Sequence, residues 1–150
     1  MLKNKNGVTL VVLILSVIIM LIIFGVTVTS GTDLLENADK NRLKSNLYLV
    51  KARAETLLED YLFDGTDNLG DEASSSQISG VGFDESSEEY IYRVWDTSKL
   101  EEEGISTDDV KTAEVFVIQY DIENDSVDVA STVGTKNDDG SKVYILSEID

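Results

Sequence analysis

The chain has 150 residues, with 12 basic and 29 acidic side chains, a net charge of −17, and no cysteine, histidine or proline. Without histidine or cysteine there is no Ser-His-Asp or Cys-His catalysis, no histidine- or thiolate-bound zinc and no disulfide. So acidic a balance repels phosphates and argues against nucleic acid as a partner, and the length allows one folded domain beside an anchor.

The first six residues, Met1-Leu2-Lys3-Asn4-Lys5-Asn6, hold two lysines and no acid. Gly7 then opens an apolar run that reaches Val28, with Thr9, Ser16 and Thr27 as its polar side chains, and no charge follows until Asp33. Single hydroxyls are tolerated there because they can bond back to a helix carbonyl. About 20 apolar residues at 1.5 Å each make a helix of roughly 30 Å, the thickness of a bilayer's hydrocarbon core. The run is therefore expected to cross a membrane. Lysines ahead of a first apolar segment hold that end in the cytoplasm, which places everything after Val28 outside. A plain single-span anchor has this form. A secretory signal would be cut after Val28-Thr29-Ser30, before Gly31, but the apolar core exceeds the ~7–15 residues usual in signal peptides.

A third reading is more specific. A short leader charged by Lys3 and Lys5 ends in Gly7, and an apolar helix begins at once with Val8-Thr9-Leu10-Val11. These residues resemble the type IV pilin and type II secretion pseudopilin family. The resemblance covers about the first 60 residues. It implies that a prepilin peptidase cuts after Gly7 and that Val8 becomes the new, methylated N-terminus. Glycine suits such a cut because it has no side chain to obstruct a protease. The family usually has Glu as the fifth residue after the cut, where this chain has Val12. In the family that carboxylate partners the N-terminal amine of a neighbouring subunit, and a buried charge without a partner costs several kcal/mol. Pilin-like sequences of Gram-positive bacteria, and some minor pseudopilins, similarly lack the Glu, so Val12 bears on major-subunit status more than on membership.

Gly25 and Gly31 bracket Val-Thr-Val-Thr-Ser, a weak stretch for a helix. It is either a plain membrane exit or a hinge that lets the helix stretch, with Asp33 and Glu36 as a capping box for a fresh helix. Residues 33–62 have a helical pattern in which Leu43, Leu47, Val50, Ala54, Leu57 and Tyr61 form one apolar seam. Lys40, Arg42, Lys44, Lys51 and Arg53 lie on the same helix, as a solvated face or as a face for acidic surfaces of this or neighbouring subunits. Residues 64–87 have loop composition, and the resemblance implies a variable surface loop. Its acids Asp64, Asp67, Asp71 and Glu72 do not match the spacing of an EF-hand, so no metal is expected.

Residues 89–95 alternate and are aromatic, which predicts a strand. Ser98 and Glu101 predict a capping box for a short helix that Gly104 ends. Residues 114–122 are the strongest strand, Asn124-Asp125 a turn, and residues 126–131 its hairpin partner. Asn137-Asp138-Asp139-Gly140 predicts a turn before a last strand at 142–146.

The expected fold is α+β: a long N-terminal helix, transmembrane in one half and amphipathic in the other, packed on a small antiparallel sheet of three to four strands. Residues 1–7 are the expected leader, 8–30 the transmembrane helix and hinge, and 31–150 an extracellular pilin-like domain with its sheet at about 88–147. The expected function is structural, as a major or minor subunit of a type IV pilus or type II secretion-like filament assembled through the apolar helix. Thr9, Ser16 and Gly25 would be its close-contact points in lipid. The implied partners are the membrane, a prepilin peptidase, other pilin or pseudopilin subunits and an assembly platform. The protein would span the cell membrane once, N-terminus cytoplasmic, and join an extracellular filament after processing. The alternative is a single-pass membrane-anchored extracellular binding module that does not polymerise. Neither reading has a cofactor or a catalytic residue: only carboxylate chemistry stays open, and the acids are not paired for it.

Overall fold

The computed structural model describes residues 3–150, with side chains described at residue 7, residues 9–24 and residues 34–150. The chain divides into two compact units, Met1–Ala38 and Asp39–Asp150. Helix α1 (Lys3–Asp64) supplies all the described backbone of the first unit and opens the second. Helix α1 is continuous across the hinge expected at Gly25 and Gly31 and across Asp33, where a fresh helix was expected to start; the side chains of residues 25–33 lie outside the described ones, as do those of Lys3, Lys5 and Val8.

In the first unit, among the described residues, no helix is long and apolar enough to cross a membrane. The described side chains of the apolar run are those of residues 9–24, fewer than the ~17–25 residues a span requires.

The second unit is built on the last part of α1. With no glycine or proline from residue 39 to residue 64, nothing interrupts the helix until Gly65. Gly65 adopts φ 78°, the left-handed conformation of a helix-ending glycine, and its N–H donates to the Tyr61 carbonyl at 2.9 Å. On the inner face Leu43, Leu47, Val50, Ala54 and Leu57 are buried, and Tyr61 packs partly buried beside them.

Opposite that face lies one five-stranded antiparallel sheet: β1 (Asp71–Glu72), β2 (Tyr90–Trp95), β3 (Phe116–Asp121), β4 (Ser126–Lys136) and β5 (Lys142–Ile145), in that order. Residues two apart on a strand share a face. Trp95, Phe116, Ile118, Tyr120, Val127 and Val129 thus join the α1 seam in the main core. Val117, Ala130 and Ile145 face the other way, into a second core with Ile78, Val81 and Phe83.

The strand count exceeds the expected three to four. The extra strand, β1, is two exposed acids paired with Arg93 and Val94, so its sequence has no strand signature. The stretch expected as a loop at 64–87 also contains helix α2 (Ser75–Gly80). Ser74 caps it, accepting from Gln77 N–H while the Gln77 side chain accepts from Ser74 N–H, and Ile78, Val81 and Phe83 close over the sheet.

Helix α3 (Thr97–Glu102) starts earlier than Ser98 suggested: Asp96 is its N-cap, accepting from Lys99 N–H at 2.9 Å. An aspartate directly after a strand places its carboxylate over the first turn, and Ser98 falls inside the helix. Strand β4 runs past residue 131 because the register shifts between Ala130 and Thr135, where Gly134 takes φ 68°. The strand expected at 126–131 thus continues through a bulge at this glycine.

Candidate functional site

Gly7 lies on α1, exposed, and a Cβ built on it would meet nothing within 4 Å. Thr9, Leu10, Val11 and Val12 follow on the same helix, all exposed. From Leu10 to Phe24, 14 large apolar side chains stand 46–73% exposed. Ser16 does not interrupt this surface, since its hydroxyl donates to the Leu13 carbonyl at 2.8 Å. An apolar helix exposed on all sides is costly in water and stable in lipid or among other apolar helices. No acid occurs between Val8 and Thr32.

In the second unit the basic residues of α1 turn inward to acids and carbonyls of the same head. Lys40 binds Asp138 at 3.1 Å and also the Asp150 carboxylate, and Lys44 donates to the Asp150 carbonyl at 3.2 Å. Asp150 accepts from Asp138 N–H as well, so it ties α1 to the β4–β5 turn. Its pKa is held below the usual aspartate range, first by the Lys40 hydrogen bond. Arg42 donates to the Asp109 carbonyl and lies 3.9 Å from the buried Glu114. Glu114 also accepts from the Ser131 hydroxyl at 2.7 Å and from Lys111 N–H at 2.8 Å. Arg53 and Lys99 both reach Glu103 at 2.7 Å. Burial works against the Glu103 charge, but the two cations together hold its pKa below 4.5. Lys51 lines a shallow polar groove with Tyr48, Tyr90 and Asp128. The helix cations are therefore chiefly internal ties rather than a solvated face.

The acids after the helix have structural partners. Asp64 accepts from Thr66 N–H at 2.9 Å, Asp67 pairs with Arg93 at 3.3 Å, and Asp71 and Glu72 form β1. Among the described residues no group of three or more acidic side chains gathers as a metal site would. A clamp the sequence did not reveal holds this segment: the Leu69 carbonyl accepts from both Trp95 Nε1 at 2.7 Å and the Tyr120 hydroxyl at 2.9 Å. Burial pushes the Tyr120 pKa well above 10, so its hydroxyl stays a donor at neutral pH.

No family model matches the chain, and neither a curated protein nor a solved structure matches it.

Proposed function

We propose that the protein is a structural subunit of a pilin-like filament, cleaved after Gly7 by a prepilin peptidase and assembled through its apolar N-terminal helix. The observation that carries this reading is the junction itself: a lysine-bearing leader, then Gly7, then Val8-Thr9-Leu10-Val11 opening a run without charge as far as Asp33. The 14 exposed apolar side chains of that run support it, because such a surface calls for lipid or neighbouring helices. The second unit adds a compatible layout, one helix on an antiparallel sheet that follows it in the chain. In this reading the run spans the membrane before assembly, the head lies outside the cell, and the work is mechanical rather than catalytic.

The test is the intact mass and N-terminal residue of the protein made alongside its own peptidases. A chain that begins at Val8, and a Gly7→Val variant that keeps its leader, are the expected results. A chain that begins at Gly31 would mean a secreted soluble domain, and an uncut Met1 a simple anchor; either overturns the proposal. Val12, in the position of the family's Glu, favours one second reading: an anchored binding module that does not polymerise. Crosslinking of sheared surface fractions separates the two, since the filament reading requires oligomers and the module reading monomers.

A further inference from the structure

We infer that the outer face of α1 in the head is a docking surface for a basic, apolar-faced segment of another protein, rather than for a second copy of this chain. The face opposite the buried seam has Tyr48, Leu49, Ala52, Thr56 and Phe63 at helical spacing, with Tyr48 and Leu49 each 55% exposed and Phe63 92% exposed. Thr56 spends its hydroxyl on the Ala52 carbonyl at 3.2 Å, which lowers the polarity of the strip. Single exposed apolar residues are ordinary on any surface. Here Tyr48 and Leu49 stand together at one end of the face and Phe63 at the other, with Glu59 between them on the same side of the helix.

Charge selects the occupant. Glu55, Glu59 and Asp60 stand exposed on the same part of the helix, where, among the described residues, the one cation not bonded to its own head, Lys51, is half-buried in the groove beside Tyr48; Lys40, Arg42, Lys44 and Arg53 are drawn into bonds with their own head. With the two leader lysines set aside, the chain beyond Ser30 has a charge of −19. Glu55 and Asp60 flank this face and Glu59 lies on it; such carboxylates are complementary to lysine and arginine, and like charges set against each other repel. A second copy would bring the same acids to the contact. The inference concerns the head alone and stands whether or not Gly7 is cut.

The test uses the full chain in uncharged detergent and a synthetic helical peptide with leucines on one face, lysines beside them and a photoreactive group. Crosslinks mapped by mass spectrometry are expected within residues 45–63, and a peptide with glutamates for lysines should give almost none. The pair Leu49→Gln with Phe63→Gln, and separately Glu55→Lys with Glu59→Lys, should each lower the yield about tenfold. Glu85→Lys with Glu88→Lys, on exposed acids elsewhere, should leave it unchanged. Unaltered Trp95 fluorescence shows that each variant is folded. Crosslinks outside residues 45–63, equal loss with the Glu85 and Glu88 changes, or self-crosslinking of the wild type through this face at physiological salt would each overturn the inference.

Discussion

Gly70 adopts φ 117°, and a Cβ on it would lie 2.6 Å from the Trp95 ring. The glycine is required twice, once by its backbone and once by the close approach of an indole that donates to the neighbouring Leu69 carbonyl. Gly70→Ala is expected to destabilise the head by about 3 kcal/mol through strain and overpacking. Gly65→Ala, at φ 78° but in open space, should cost only about 1 kcal/mol. Urea unfolding followed by Trp95, the one tryptophan, measures both. Glu103 gives the pH dependence. Because its folded pKa lies below 4.5, it contributes stability that is present above that value and lost as pH falls through the folded pKa. Glu103→Gln should lower stability at pH 7 and flatten the acid side of the curve below about pH 4.5, read by the same fluorescence.

At the scale of elements, the α1 seam was legible because a helix returns to one face every three or four residues, and Leu43 to Tyr61 keep that rhythm without interruption. Leu47, fully buried between helix and sheet, should cost about 2–5 kcal/mol on change to alanine, measured by urea unfolding. Strand β1 was not legible. Its two acids are held by backbone pairing with β2, which no side-chain pattern records. Helix α2 was half legible: Ser74 and Gln77 have capping-box spacing, but six residues of serine, glutamine, isoleucine and glycine read as loop. Ser74→Ala should cost about 1 kcal/mol and speed amide exchange over residues 75–80 before the rest of the head. Ser98 was the expected helix start, and the end of β2 at Trp95 placed the N-cap at Asp96 instead.

At the scale of the whole molecule, charge dominates. The ion pairs that α1 makes with the rest of the head use up cations and leave most acids facing water, so self-repulsion opposes the folded state. Raising sodium chloride from ~10 mM to ~150 mM shortens the screening length from roughly 30 Å to 8 Å and should raise the melting temperature, as calorimetry would record. Loss of the ion pairs alone would lower it, so the sign of the shift separates the two effects. On the proposed reading as a major filament subunit cut after Gly7, Val12→Glu is expected to increase filament yield in sheared surface fractions, because it would supply a carboxylate for the Val8 amine of a neighbour. An unchanged yield would mean that the amine needs no such partner.

The apolar run after Gly7, the lysines ahead of it, the helical seam and the three main strands were determined by the sequence alone, because hydrophobic periodicity and charge are local properties of a chain. What the α1 cations do was decided only in the folded head. Lys40, Arg42 and Arg53 meet Asp138, Asp150, Glu114 and Glu103 across 50 to 110 residues of chain, and no local pattern specifies such contacts. The same holds for β1 and for the Leu69 clamp, where backbone groups find partners that tertiary packing alone brings near.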